Sequence, residues 1–195
     1  EATPDAAASA LEHAVSRYAD VVRLALSGAA GHDILQALAR LRVLCAHRQG
    51  RDGVAAWNRA IESQLVTAVD GFDPGRRWYL GRPILVTEND HALRLYNGDV
   101  GSIVEDPHRR GSVVAAFPTA DGGVRTLSPA RLPACETTFA MTIHKSQGSQ
   151  FDEVVVVLPS EPSPVLTREL FYTAVTRARQ RATVVAPTAV LRDAL

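Results

Sequence analysis

Residues 139–158, FAMTIHKSQGSQFDEVVVVL, decide the fold. A polar turn broken by glycine, Thr142-Ile-His-Lys-Ser-Gln-Gly148, feeds a continuous apolar strand from Val154 to Leu158. Hydroxyl, imidazole, amine and amide groups are costly inside a core. They suit a loop that joins a buried parallel strand and touches a ligand.

A second buried strand reads from Arg42 to Ala46, RVLCA. His47, Arg48, Gln49 and Gly50 follow it, then Asp52-Gly53 and a helix carrying Val54, Trp57, Ile61 and Leu65. Strand, polar turn and helix make the βα unit of a parallel α/β sheet, whose ligand sites lie at the carboxyl ends of strands. Arg48 in that turn is a candidate phosphate contact because its planar fork suits the task. A solvated loop arginine is the plainer reading. Ahead of this unit, Ala7–Leu26 has the periodicity of an amphipathic helix, and Asp33 is a candidate N-cap for a short second one. Arg82–Thr87, RPILVT, is a further strand.

The texture then changes. From Asn97-Gly98-Asp99 to Pro133, short β-like runs at Val100–Val104, Ser112–Phe117 and Val124–Leu127 alternate with turns at Asp106-Pro107, Arg110-Gly111 and Asp121-Gly122-Gly123. Such spacing predicts a small antiparallel barrel inserted into the α/β domain. After Glu161-Pro-Ser-Pro164, Thr167 is placed to cap a helix running to Arg179, with Thr173, Arg177 and Arg181 sharing a face. Thr183–Ala186 reads as a last strand and Thr188–Leu195 as a terminal turn or helix.

The composition sets limits. In 195 residues, 46% hydrophobic content supports a packed core, and a net charge of zero confines polyanion binding to a local patch. Cys45 and Cys135 lie far apart in apolar settings, which predicts free buried thiols and a reducing cytosol. No apolar run approaches the length of a membrane span. The six histidines and two cysteines show no metal-ligand spacing, so no metal centre is expected from this chain. The chain begins at Glu1 and its single methionine is Met141, which suggests a piece of a longer polypeptide.

Hydroxyls, a lysine, a histidine and exposed backbone amides in the 142–148 turn are phosphate-positioning groups. A Ser/His hydrolytic pair is the rival. His144 and Ser146 are two residues apart, point different ways on a helical turn, and lack an evident orienting carboxylate.

These stretches carry a family resemblance. TIHKSQGSQFDEVVVVLP resembles motif V of superfamily 1 helicases, and LTRELFYTAVTRARQRATVV resembles motif VI. VLCAHRQGRDGVAAWN is similar to the motif IV region of the RecD type, the α subunit of exodeoxyribonuclease V. GRPILVTENDHALRLYNGDVG is similar to the segment leading into that family's inserted barrel. The resemblance implies an α/β fold: a RecA-like parallel-sheet motor domain (2A) in residues 1–96 and 134–195, interrupted by an SH3-like β-barrel (2B) in residues 97–133.

It also implies roles. Arg177 of motif VI is expected at the γ-phosphate of ATP, with Arg48 as a second phosphate contact. Gly148 and Gln150 are expected nearest the nucleotide ribose, and Thr142, His144, Lys145 and Ser146 at DNA phosphates. Relatives commonly carry glutamate where this chain has Gln150. No phosphate-binding G-x-x-x-x-G-K-[ST] loop and no acidic magnesium motif occur, so ATP and Mg2+ would be held mainly by a first motor domain outside this sequence. The expected whole is a cytoplasmic 5′→3′ helicase moving on single-stranded DNA with RecB-like and RecC-like subunits, and the fragment alone is expected to be inactive. A non-catalytic nucleic-acid-binding or subunit-contacting module, or a relaxase-type helicase, are the alternatives.

Overall fold

A computed structural model describes residues 4–161 and 163–193, which form two compact units. Unit 1 takes residues 1–16, 39–63 and 139–195, and unit 2 takes residues 17–38 and 64–138. The chain opens with helices α1 (Pro4–Leu26) and α2 (Gly31–Arg40). Asp33 lies inside the first turn of α2 and does not cap it, because the helix already starts at Gly31. The aspartate still suits the positive amino end of the helix.

Unit 1 holds a four-stranded, wholly parallel sheet. Its strands are β1 (Leu41–Cys45), β7 (Ala140–Thr142), β8 (Phe151–Val157) and β9 (Ala178–Val185), in the order β7-β1-β8-β9. The α/β reading with a parallel sheet holds. Val154–Val157 in β8 are buried to 1% exposure or less, as an inner parallel strand covered on both faces requires. Helix α3 (Val54–Ala68) follows β1 and buries Trp57, Ile61 and Leu65. Helix α4 (Arg168–Val175) leads into β9, and α5 (Thr188–Asp193) follows it.

Helix α4 stops four residues short of the expected end at Arg179. Its last turn meets the β-branched pair Val175-Thr176, and the Thr176 hydroxyl donates back to the Tyr172 carbonyl at 2.8 Å. β-Branching lowers helix propensity and favours the strand that follows. Arg177 therefore sits in a turn and Arg181 on β9, so Thr173, Arg177 and Arg181 do not share one helical face as expected.

Unit 2 is built on a five-stranded antiparallel sheet in the order β5-β4-β3-β2-β6. The strands are β2 (Pro83–Val86), β3 (Val100–Glu105), β4 (Val113–Pro118), β5 (Val124–Leu127) and β6 (Cys135–Thr137). Its core gathers Ile84, Val86, Leu95, Ile103, Ala115 and Phe117. The unit is wider than the 97–133 insert expected, since Pro83–Val86 pairs with β3 on one side and β6 on the other. A short, fully buried apolar run reads alike as a central strand of either sheet, and periodicity does not separate the two. Among the described residues no pairing joins β5 to β6, so the sheet is recorded as an open run of strands.

Gly101 in β3 shows how closely this sheet packs. A Cβ there would run into the Ala116 carbonyl oxygen and lie 2.7 Å from the Phe117 ring. Gly101→Ala is expected to lower unfolding stability by about 1–3 kcal/mol through overpacking, read as a shifted urea midpoint with an unchanged slope.

Candidate functional site

The site is assembled in unit 1 around the loop between β7 and β8. Thr142 ends β7 at the register level of Cys45, which itself pairs with Val157 at the carboxyl end of β8. Phe151 begins β8 at the opposite end, beside Ala178. Phe151 and Val157 are six residues apart, or about 20 Å at ~3.3 Å per residue. Residues 143–150 thus carry the chain from the carboxyl end of the sheet back to its amino end.

The upper half of this loop is a single 3-10 turn, His144–Ser146. Ile143 anchors it, buried and donating its N–H to the Cys45 carbonyl at 3.0 Å. The Thr142 hydroxyl accepts from Lys145 N at 3.3 Å, and the Ser146 hydroxyl donates to the Ile143 carbonyl at 2.7 Å. His144 is exposed, and Thr142 and Lys145 are half-buried, so all three keep an outward aspect. Ser146 does not. It is fully buried, and its hydroxyl is committed to the turn, so its expected place among DNA phosphate contacts is corrected to a structural one.

The lower half turns on Gly148, whose φ of +85° is a left-handed conformation that an L-residue adopts only at a cost. Nothing lies within 4 Å of where its Cβ would be, so the glycine serves the turn and not a close approach. Ser149 and Gln150 then meet the turn between α4 and β9. Arg177 donates from Nε to the Thr173 carbonyl at 3.1 Å, from Nη1 to the Ser149 carbonyl at 3.3 Å, and from Nη2 to Thr176 Oγ1 at 3.5 Å. Its own carbonyl accepts from Phe151 N at 2.9 Å. The guanidinium both caps the carboxyl end of α4 and holds the loop, while retaining donors beyond these three. Arg179 donates to Gln150 Oε1 at 3.4 Å and lies 3.9 Å from Asp152. Gly148, Gln150 and Arg177 therefore share one end of the sheet.

Arg48 does not join them. It follows β1 at the carboxyl end, exposed, where the neighbouring Asp52 accepts from Ser160 N at 2.9 Å. Arg48 and Arg177 leave opposite ends of parallel strands.

A small cleft lies between the 3-10 turn and the start of α4, lined by His144, Gln147, Val165, Thr167, Glu169 and Thr173. Thr167 caps α4 by accepting from Leu170 N at 3.2 Å. Glu169 is held below the usual carboxylate range, first by its own backbone N–H and then by the Thr167 hydroxyl. A depressed carboxyl favours the folded state above its unfolded pKa, and this support is lost as pH falls through the folded value. Burial, and secondarily the charge of Asp52, push the Cys45 thiol well up, so it stays protonated. Cys135 is raised as well, chiefly by burial, and both cysteines are free as expected. Among the described residues no group of His, Cys, Asp or Glu is placed to hold a metal ion, and no helix is long and apolar enough to cross a membrane.

Three supporting contacts escaped sequence reasoning. The Asn58 side chain accepts from Ala140 N at 2.9 Å and donates to Ala140 O at 3.3 Å, bracing the edge strand β7 just before the loop. Arg42 is buried to 1% exposure, with its guanidinium carbon 5.1 Å from the centre of the Phe151 ring. His13 and Glu153 lie 2.8 Å apart. A signal existed for Asn58. It falls on the apolar stripe of α3 with Val54, Trp57, Ile61 and Leu65, where an amide needs a partner.

Residues 137–185, which include the whole loop and both arginines of the lower cluster, match the family of UvrD-like helicase C-terminal domains. The chain is similar to the RecBCD enzyme subunit RecD of Mycolicibacterium smegmatis, with 51% identity over 170 residues, covering 84% of this chain and 28% of that protein. It is also similar to the RecBCD enzyme subunit RecD of Haemophilus influenzae, with 42% identity over 156 residues, covering 80% of this chain and 23% of the relative. The chain thus spans about a quarter of the length of these curated relatives. Among solved structures, Pif1 helicase from Bacteroides in complex with ADP-AlF3 and ssDNA aligns with 92% of this chain and 50% of its own, at 16% identity and a TM-score of 0.47.

The double hydrogen bond from Asn58 to Ala140 yields a direct test of how the loop is anchored. Asn58→Ala leaves the N–H and C=O of buried Ala140 without that partner and is expected to cost about 1–3 kcal/mol. Urea unfolding measures the loss, and hydrogen exchange is expected to quicken first at Ala140–Ile143.

Proposed function

We propose that this RecD-like chain is the second motor domain of an ATP-dependent 5′→3′ DNA helicase, a subunit of a RecBCD-type exodeoxyribonuclease V acting in double-strand break repair. The observation that carries the reading is the convergence of Arg177, Ser149 and Gln150 at one end of a parallel sheet, from which a single loop runs to His144 and Lys145 at the other. One end suits the phosphates and ribose of a nucleotide held by another domain, and the other suits a DNA backbone.

In this reading Arg177 is the arginine finger. ATP and Mg2+ are bound chiefly by a first motor domain, and this chain supplies positive charge where the γ-phosphate leaves. Mg2+ would neutralise charge on the transferring phosphoryl group. The task left to this chain is positional. Arg177 is already aimed by its bonds to Thr173 and Ser149, which lowers the entropic cost of reaching a phosphate. Gln150 presents an amide in place of a carboxylate, able to hydrogen-bond a ribose hydroxyl without adding charge beside the triphosphate. Thr142, His144 and Lys145 contact DNA phosphates, Lys145 as a point charge. Unit 2 is the counterpart of the SH3-like 2B insert, widened by Pro83–Val86 and Cys135–Thr137. The whole protein works in the cytoplasm on single-stranded DNA beside RecB-like and RecC-like subunits, and this chain alone has no turnover because it lacks a phosphate-binding loop.

The test is Arg177→Ala in the full-length protein. Steady-state ATP turnover stimulated by single-stranded DNA is expected to fall by about 10³-fold or more, the scale of an arginine finger, with ATP affinity changed far less. Turnover within about threefold of wild type contradicts the role. Arg48→Ala is expected to leave turnover within about threefold, as an exposed loop arginine away from the site should.

A further inference from the structure

We propose that the loop 87–99 of unit 2 is a stacking platform for an unpaired base of a single-stranded nucleic acid, with the Tyr96 ring as its face. The inference rests on the helicase reading above and adds to it a contact that reads no phosphate.

The loop contains no regular helix or strand, yet hydrogen bonds pin its backbone at several points. Asp90 and Leu95 exchange two backbone hydrogen bonds, at 2.7 and 2.9 Å. Asn89 accepts from Asn97 N at 2.8 Å, Asp90 from Leu93 N at 2.9 Å, and Asp99 from Tyr96 N at 2.8 Å. From β5, Arg125 reaches the Leu93 carbonyl at 2.6 Å and the Arg94 carbonyl at 3.1 Å. Leu95 is fully buried in the core of the unit. Between these anchors Arg94 is held at φ +49°, the one non-glycine residue at positive φ among the described residues. Local polar groups and a distant arginine are thus spent on fixing one loop conformation.

That conformation presents an aromatic pair. Tyr96 is 48% exposed, and its ring centre stands 6.0 Å from that of exposed His91 at 72°, an edge-to-face contact that steadies the tyrosine while leaving it accessible. A single exposed aromatic is ordinary on a protein surface. An exposed ring braced by a second ring, on a loop pinned by these hydrogen bonds, is a preorganised contact surface. Its occupant follows from its surroundings. Besides the two rings, the exposed residues of the loop are Glu88, Asn89, Arg94 and Asn97, polar or charged, and the small Ala92, and Tyr96 is the one exposed large hydrophobic side chain in the loop. A protein partner would require an apolar interface core, which these neighbours do not supply. A nucleobase needs one flat face and donors nearby, which they do.

The test uses the full-length protein and fluorescence anisotropy with a labelled oligothymidylate and an abasic strand of the same length. Tyr96→Ala is expected to weaken oligothymidylate binding about tenfold, within the range for loss of one base stack, and Tyr96→Phe to stay within about twofold of wild type. The slope of affinity against salt is expected to be unchanged, because stacking releases no counterions. On the abasic strand, wild type and Tyr96→Ala are expected to bind alike. If Tyr96→Ala binds oligothymidylate as wild type does, or loses as much on the abasic strand, the platform is overturned while the helicase reading stands. If the wild-type protein neither binds oligothymidylate nor turns over ATP faster with it, the helicase reading fails and the platform with it.

Discussion

The parallel register of β8 between β1 and β9 is the constraint on which the site depends. Because all three strands run the same way, whatever precedes β8 and β9 is gathered at one end, and whatever follows β1 and β7 at the other. Ser149, Gln150 and Arg177 are neighbours for that reason, although nearly thirty positions separate them in sequence, and the Phe151 N–H to Arg177 carbonyl bond closes the junction at 2.9 Å. The same rule parts Arg48 from Arg177. The loop 143–150 joins the two ends, as does the longer β8–β9 crossover through α4, and Gln150 and Lys145 both lie on the former.

The two halves of the loop are held in different ways. Its carboxyl-end half is rigid: Ile143 is buried, Ser146 is tied to it, and Asn58 braces the strand from which it leaves. Its other half turns at Gly148, in open space, and ends near a carbonyl gripped by Arg177. In the proposed reading, this turn, the glycine and the arginine's grip pass a small movement of Arg177 along the chain. Gln150 adds to this economy of charge. It receives Arg179, whose other neighbour is Asp152 at 3.9 Å. A carboxylate at position 150 would compete with Asp152 for that cation.

How much of this was legible in the residues depended on range. The strands at 41–45, 100–105, 113–118, 124–127 and 151–157, and the helix from Val54, follow from local apolar runs and turn residues, because those signals lie within one element. RPILVT was legible as a strand but not as a member of the antiparallel sheet, since a buried apolar run does not record its partner. Helix α4 was overextended because alanine and arginine after Val175 favour a helix locally, whereas pairing with β8 draws Ala178–Val185 into the sheet. Ser146 looked like a ligand contact by residue type, and only the 3-10 turn shows its hydroxyl facing inward. The RecD-like motifs named the neighbourhood of the site. They did not reveal that Arg177 grips the Ser149 carbonyl, which depends on a hydrogen bond across 28 positions.

The most direct measurement of the central claim is thermodynamic coupling in the full-length protein. Affinity for single-stranded DNA is measured with and without a non-hydrolysable ATP analogue, in wild type and in Gly148→Ala. If the loop links the two ends, the analogue changes wild-type DNA affinity by some factor, and DNA changes analogue affinity by the same factor, as linkage demands. In Gly148→Ala that factor collapses toward unity while each ligand still binds alone. A coupling factor equal in the two proteins, with both folded and both ligands bound, contradicts the account.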